Sequence, residues 1–321
     1  MAKILADTTM NFRIIGIGEV LWDLLPSGPQ LGGAPGNFAY HAQALGAHAS
    51  VVTRVGADQL GREILRRFEE LGLADGTVQV DDAAPTGTVA VALSDQGIPN
   101  YIIRENVAWD HLAVTPAALK AVRGADAICF GTLAQRSEPS RKSIQELVAI
   151  APANALRVFD INQRQGYFSR AVIEQSLQLA NVLKLNDGEL PVLASLFNLT
   201  GSIPQQIEKL SQMFHLRLVA LTRGPDGSLL FKSGQWSDCH SVPIEIVDTV
   251  GAGDSFTAAL VLGLLHQMGL DEINALADEV ARHVCTCVGA TPRLPKAIYD
   301  RLAARQVTRV ARVECSNNLQ P

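Results

Sequence analysis

The residues best suited to chemistry lie in Val247 to Leu265, VDTVGAGDSFTAALVLGLL. Asp248 precedes Gly251-Ala252-Gly253, and Asp254 then heads a long apolar helix pattern. Glycines flanking an alanine let the backbone turn tightly and leave its N–H groups unobstructed. A helix starting there adds its own unpaired N–H groups and the positive end of its dipole. Such a turn forms a cup for an anion, and phosphate is its usual occupant. A carboxylate beside a phosphate-sized hole is well placed to remove a proton. Asp is also a favoured helix cap, so this stretch alone leaves Asp254 open to either reading.

A second glycine-rich loop, Leu31-Gly32-Gly33-Ala34-Pro35-Gly36-Asn37-Phe38-Ala39-Tyr40, runs into a helix ending near Gly46. Its small residues let backbone approach a polyhydroxylated ligand, and Asn37 offers both a donor and an acceptor. Polar groups also follow four apolar strand patterns: Gly131 to Arg136, Asp160 to Arg164, Asn186 to Glu189, and Thr222 to Gly224. An NxxE pair, Asn186 and Glu189, supplies oxygen ligands that suit Mg²⁺. A base, a cation on the phosphates and donors for developing charge are the parts of phosphoryl transfer to an alcohol. The chain lacks the Gly-Lys dipeptide of the common phosphate loop, and HExxH, GxSxG and EF-hand patterns as well. Gly16-Ile17-Gly18 lacks the third glycine and helix of a dinucleotide fingerprint.

These groups need a scaffold. Phe12 to Gly18 predicts a buried strand that continues through Glu19 to Leu25, and His48 to Val55 a second strand. Asp58 to Leu71 places Leu60, Ile64, Phe68 and Leu71 on one helical face. Thr77 to Val80, Thr86 to Ser94 and Asn100 to Arg104 alternate like half-exposed strands, which predicts a small antiparallel sheet standing off the main one as a lid. From Asp126 onward strand and helix patterns alternate, which predicts a mostly parallel sheet covered on both faces. Ligands of such sheets sit beyond the carboxyl ends of the strands. One domain is expected over residues 12–304, with lid strands from about 19–31 and 77–110, and a loosely held tail over 305–321.

Composition narrows the partners. The chain has 321 residues, 47% of them hydrophobic and 18% charged, as in an ordinary globular protein. A net charge of −5 gives no electrostatic reason to expect nucleic acid or an anionic membrane. There is no signal-peptide pattern and no apolar run of membrane-spanning length. Cys129, Cys239, Cys285, Cys287 and Cys315 show no CxxC spacing, so buried reduced thiols and a cytoplasmic location are expected.

DTVGAGDSF (Asp248 to Phe256) and GGAPGNFA (Gly32 to Ala39) resemble the two signature motifs of the ribokinase-like (PfkB) carbohydrate kinases. The resemblance runs from about Gly18 to Pro295. GEVLWDLLP, GTLAQR, AWD, KLND and GATP are similar to segments of bacterial fructokinases in particular. The resemblance implies an α/β, Rossmann-like domain with a small β lid that often forms a homodimer interface, acting on ATP and a small sugar. It implies Asp254 as catalytic base, with Gly251, Ala252 and Gly253 as the anion hole. Asp23, Gly32, Gly33 and Asn37 match positions that hold sugar hydroxyls, and Arg104 and Arg164 ones that contact sugar or phosphate. Asn186, Thr222, Gly224 and Gly253 match the nucleotide site, and Glu189 acts on Mg²⁺ through water. Asp248, Val250, Val284, Cys287 and Gly289 resemble the activating K⁺ site.

Three positions depart from the pattern. Fructokinase-like chains usually read DxNLR where Asn162-Gln163-Arg164 stand, Gly36 replaces a commoner Ala, and Gly188 a common Glu. None removes a catalytic group, and Gln163 bears on the sugar pocket. The expected activity is ATP-dependent phosphorylation of D-fructose. The competing readings are the same chemistry on 2-keto-3-deoxygluconate, ribose or a nucleoside, and a sugar-binding homologue without catalysis. Loss of the base marks that last class, and this chain keeps Asp254.

Overall fold

A computed structural model describes residues 12–25, 28–73, 76–93 and 99–304. The predicted tail over 305–321, with Cys315, lies outside them. The chain opens with β1 (Arg13–Ile17), β2 (Leu21–Leu25), β3 (Gly28–Gly32), α1 (Ala34–Ala44), β4 (His48–Gly56) and α2 (Gln59–Glu70). Next come β5 (Val78–Asp81), β6 (Gly87–Leu93), β7 (Pro99–Ile103) and α3 (Pro116–Arg123). The alternating part holds β8 (Ala127–Phe130), α4 (Glu138–Ala149), β9 (Leu156–Asp160), α5 (Arg170–Leu179), β10 (Val182–Asn186), α6 (Glu189–Phe197), α7 (Ile203–Met213) and β11 (Leu218–Thr222). A hairpin of β12 (Ser228–Lys232) and β13 (Gln235–Cys239) precedes α8 (Ala252–Leu265) and α9 (Leu270–Cys285).

The main sheet has nine strands in the order β13-β12-β11-β10-β9-β8-β1-β4-β5. It is parallel from β11 to β5, and the β12–β13 hairpin adds an antiparallel edge. Its central strands are apolar runs because both faces are covered. Ile15 and Ile17 enter a core roofed by α3 to α7 residues such as Ile144, Ile173, Leu193 and Leu210. Ile14 enters the opposite core, with Phe38 of α1, Phe68 of α2, Leu260 of α8 and Val280 of α9. Alternate residues of one strand thus feed opposite layers, as the period of two requires. Helix α8 is buried from Ser255 to Gly263, which explains an apolar pattern with no polar face.

The predicted parallel sheet covered on both faces is present, with two corrections. The apolar pattern over 12–25 divides into β1 of the main sheet and β2 of the small sheet, the latter where lid strands were expected from about residue 19. The chain breaks at Gly18, whose φ of 145° lies in a region few side chains tolerate. Thr77 to Val80, expected in the lid, forms β5 on the edge of the main sheet, parallel to β4. The small sheet is β3-β2-β6-β7, and its two antiparallel hairpins join through a parallel β2–β6 pair rather than forming an all-antiparallel lid. The β12–β13 hairpin and α3 are additions to the expected elements. Ser233-Gly234, at φ 50° and 83°, is the local signal for that hairpin.

Gly16 sets how closely α1 can approach the sheet. A Cβ there would lie 2.2 Å from the Pro35 carbonyl oxygen, in the first turn of α1. Gly16→Ala is therefore expected to destabilise the protein by about 1–3 kcal/mol, the usual cost of forcing a methyl into packed backbone. Urea denaturation checks it, and an unchanged midpoint would show that α1 can move away freely.

Candidate active site

Several strands and two helix starts converge on one cluster. Gly251 has φ 80°, and a Cβ there would meet the Ala290 carbonyl oxygen at 2.4 Å, so this turn requires glycine. Helix α8 begins at Ala252 and places Asp254 in its first turn. Asp254 Oδ2 accepts the Asn37 Nδ2 hydrogen bond at 2.8 Å. Asn37 is itself in the first turns of α1, so the two glycine-led helix starts face each other. That pairing joins residues 217 positions apart.

Beneath this turn lies a buried ion pair. Lys184 Nζ of β10 donates to Asp160 Oδ1 of β9 at 3.1 Å, and both side chains are 7% exposed. Asp160 Oδ2 accepts the Thr257 hydroxyl of α8 at 3.0 Å. A Cβ on Gly253 would come within 3.0 Å of Lys184 Nζ, which places the ammonium against the floor of the turn. The parallel register of β9 and β10 sets Lys184, in the middle of β10, beside Asp160 at the end of β9.

This environment shifts the acids. Burial pushes the Asp254 carboxyl up to about 6, Asp160 adds to the rise, and Asn37, Lys184 and Arg164 oppose it. The residue as a whole keeps some exposure, so a reacting group can reach it. Burial also raises Asp23 to about 6, against the pull of Arg164. Burial alone would lower Lys184, but Asp160, Glu189 and Asp254 together hold it above its ordinary value. Arg164, exposed on the loop after β9, acts on both Asp23 and Asp254. That loop carries Asn162 and Gln165 at φ 42° and 48°, left-handed values that cost strain for a residue such as Gln.

The remaining expected positions fall into groups. A Cβ on Gly32 would lie 2.4 Å from Asp23 Oδ2, and Gly33 at φ 106° passes close to the Glu19 carbonyl, so both glycines line the small-sheet side of the cluster. Arg104 is exposed just past β7, and no hydrogen bond or ion pair among the described residues ties its guanidinium to that cluster. Asn186 pairs with Thr222 across β10 and β11, followed by Gly224 at φ 55° with open space around it. Glu189 receives the Gln163 and Asn186 backbone N–H groups, each at 2.8 Å, while Asn186 Oδ1 accepts the Glu189 N–H. Each Glu189 oxygen keeps a lone pair for a water.

Asp248 ties two loops together. Its oxygens accept the N–H groups of Val250 and Gly289, both at 3.0 Å. The Val284 carbonyl accepts the Cys287 N–H at 3.0 Å, closing the end of α9 beside it. Among the described residues no group of three His, Cys, Asp or Glu side chains could hold a metal ion. A divalent ion here would depend on phosphate oxygens and water, the habit of Mg²⁺.

The profile of the pfkB family carbohydrate kinases matches residues 29–297. The chain belongs to this family. It is 29% identical over 296 residues to the fructokinase of Klebsiella pneumoniae, covering 88% of this chain and 95% of that one. The uncharacterized sugar kinase of Pyrococcus horikoshii, solved in complex with ATP, superposes with a TM-score of 0.72 at 27% identity, over 87% of this chain and 94% of that chain. A fructokinase of Vibrio cholerae, solved with fructose, ADP and calcium ion, shares the fold at a TM-score of 0.75 and 23% identity, over 91% and 99% of the chains.

As a pfkB carbohydrate kinase the chain is a sugar phosphotransferase, with the ribokinase-like fold predicted from its motifs. Lys184, Asp160 and Thr257 have no role that residue type and spacing assign, although KLND and the polar run after β9 mark two of them. Their pairing depends on strand order, which no local signal carries. The four cysteines within the described residues are free; Cys129 is buried, while Cys239, Cys285 and Cys287 are half-buried rather than the buried thiols expected. No helix among those residues is long and apolar enough to cross a membrane.

Proposed function

We propose that this kinase transfers the γ-phosphoryl group of ATP to a hydroxyl of D-fructose. The observation that carries the chemistry is Asp254, held by Asn37 in the first turn of α8 beside the Gly251–Gly253 backbone. Its carboxylate takes the hydroxyl proton, the sugar oxygen forms its bond to the γ-phosphorus, and the bond from that phosphorus to the ADP oxygen breaks. The N–H groups of Gly251, Ala252 and Gly253 stabilise charge on the transferring group, each lost donor costing about 3 kcal/mol by analogy with oxyanion holes. Bound with ATP, Mg²⁺ would neutralise phosphate charge, with Glu189 orienting its waters and Asn186, Thr222 and Gly224 lining the nucleotide side. Asp23, Gly32, Gly33 and Asn37 would hold the sugar, with Arg164 between Asp23 and Asp254. Residues Asp248, Val250, Val284, Cys287 and Gly289 would hold an activating K⁺.

Fructose is favoured because fructokinases recur among the relatives near 28% identity. The Gln163 departure lies on the loop that carries Arg164, so the competing acceptors are 2-keto-3-deoxygluconate, ribose and a nucleoside. ADP release from MgATP with K⁺, measured across these acceptors, is expected to be fastest with fructose and to stop with EDTA. Preference for another acceptor would move the substrate but keep the reaction. Silence on every acceptor, with ATP still bound, would favour a sugar-binding protein.

The raised carboxyl gives a pH dependence with a definite sign. Asp254 must be ionised to accept a proton, so kcat/KM is expected to be flat above pH about 7 and to fall below about pH 6. The fall should approach tenfold per pH unit for one proton. An acid limb near pH 4 would show that burial does not perturb the working base.

A further inference from the structure

Two runs of the sequence, Ala108 to Asp110 and Gly131 to Arg136, have no part in the reaction above, yet the fold joins them. Both contain short 3-10 turns, over Ala108–His111 and Leu133–Arg136. The Arg136 guanidinium donates from Nε to Asp110 Oδ1 and from Nη2 to Asp110 Oδ2, both at 2.8 Å. This is a fork-to-fork pair, and its side chains are only 7% and 6% exposed. The same Nη2 donates to the Arg104 carbonyl at 2.6 Å. The guanidinium carbon also lies 3.9 Å from the centre of the Trp109 ring and 4.9 Å from that of Tyr167, in range for cation–π attraction. Ser137 and Ser140, at the start of α4, donate to the carbonyls of Asp110 and Trp109, which fixes the whole cluster to the main domain.

Three walls of the candidate site meet on this arginine. One is the small sheet, where a Cβ on Gly87 of β6 would collide with Trp109 Nε1. Arg104, just past β7, donates its N–H to the Thr88 carbonyl at 3.0 Å and gives its own carbonyl to Arg136. The second wall is the loop after β9. The Tyr167 N–H donates to the Arg164 carbonyl at 3.1 Å, which closes a turn, and the Tyr167 hydroxyl donates to Glu105 Oε1 at 2.9 Å. Glu189 holds the other end of that loop by accepting the Gln163 N–H. Arg164 thus stands between two anchored points, which offset the left-handed strain at Gln165. The third wall is the loop after β8, which carries Arg136 itself. The backbone is fixed at Arg104 and Arg164 while both residues stay exposed.

We propose that Arg136 is a positioning residue of the sugar site: with Asp110 and Tyr167 it fastens the end of β7 to the loop after β9, and so sets Arg104 and Arg164 beside the acceptor. This rests on the reading that the sugar binds near Asp23 and Arg164. A lysine ammonium lacks the planar fork that meets two carboxylate oxygens and a carbonyl at once, and it stacks less well on rings. Asn186 and Thr222, on β10 and β11, share no hydrogen bond with Arg136, Asp110 or Tyr167 among the described residues. The fastening therefore acts on the acceptor and not on the nucleotide.

The test measures KM for MgATP and, separately, for the sugar that the wild type turns over, in Arg136→Lys, Tyr167→Phe and Glu105→Ala. Arg136→Lys is expected to raise the sugar KM about tenfold and Tyr167→Phe about two- to fivefold, with KM for MgATP within about twofold of the wild type. Tyr167→Phe leaves the ion pair and the ring in place, so the test stands even if Arg136→Lys does not fold. Combining Tyr167→Phe with Glu105→Ala should raise the sugar KM no further than one of them, since each removes the same hydrogen bond. An unchanged sugar KM in Arg136→Lys or Tyr167→Phe overturns the proposal, as do KM values for sugar and MgATP that rise together. Amide hydrogen exchange gives a readout without turnover. In Tyr167→Phe the amides of 104–107 and 164–167 should exchange about threefold faster or more, and unchanged exchange overturns the fastening. If the wild type turns over no acceptor while exchange responds, the proposed function fails and the fastening stands, so the two failures are told apart.

Discussion

Replacing Asp254 by Asn is expected to lower kcat by about 10²–10⁴-fold, the usual contribution of a positioned general base. The change is nearly isosteric. The amide oxygen of the new side chain can still accept from Asn37 Nδ2, where Asp254 now accepts at 2.8 Å, and the turn at Gly251 is untouched. What disappears is the charge and with it the ability to take the hydroxyl proton. MgATP binding, measured by fluorescence titration, should change little, since the glycine backbone and the Asn186–Thr222 strand ends remain.

The same variant carries a stability signature that checks whether the buried charge is real. The Asp254 carboxyl is raised from 3.8 to about 6 in the folded protein. A group raised in this way favours folding below its unfolded value, and that contribution is lost as pH climbs through the folded value. The wild type should therefore lose stability between pH about 4 and 6, and Asp254→Asn should not. Above pH 7 the variant is expected to be more stable by ~1–3 kcal/mol, read from urea denaturation. Near-normal turnover in a folded variant would remove the base assignment; unchanged stability with lost turnover would keep the base and remove the burial argument.

The second large effect is on folding. Lys184→Met is expected to destabilise the protein by about 3–5 kcal/mol, because it leaves Asp160 buried without its counter-charge. Methionine fills much of the lysine stem's volume, so the loss is electrostatic rather than a cavity. Among the described residues Asp160 then retains only the Thr257 hydroxyl as a neutral donor, and a hydroxyl does not offset a full buried charge. Asp160→Asn combined with Lys184→Met should be less destabilised than Lys184→Met alone, a double-mutant result that isolates the pair. A loss below about 1 kcal/mol would mean that water already reaches the pair, as it does at surface ion pairs. Activity should fall too, since Lys184 is among the groups that hold the Asp254 carboxyl down.

The sequence and the structure agree where the governing forces are local. Apolar runs of four or five residues, each followed by a polar cluster, mark β8, β9, β10 and β11 and the strand ends that carry Asp160, Asn186 and Thr222. The two glycine-led helix starts are legible for the same reason, since glycine relieves a backbone constraint at its own position. Gly251 at φ 80° and Gly33 at φ 106° are the turns that their motifs required. Asp58, placed at the start of α2 by pattern, accepts the Gly61 N–H at 2.8 Å as its cap.

Disagreement begins where pairing is not local. Hydrophobicity runs unbroken over residues 12–25 and does not itself report the break; Gly18 turns the second half into the small sheet. Val78 to Asp81 alternates as a lid strand would, yet it pairs with β4, whose free edge lies beside it. Arg164 could be placed on its loop from sequence, but its influence on both Asp23 and Asp254 needed the small sheet to sit over the strand ends. Residue type and spacing alone indicated the fold class, the glycine turn and the acid at the helix start, because these are written in backbone constraint and hydrophobic period; the class of reaction followed from the resemblance of the two motifs to a family. Tertiary structure alone decided that Asn37 holds Asp254, that Lys184 neutralises Asp160 beneath Gly253, and that Gly33 packs against the Glu19 carbonyl at the start of α1. Each of those contacts joins segments brought together only by strand order and burial, and it is burial that moves the Asp254 carboxyl up to about 6.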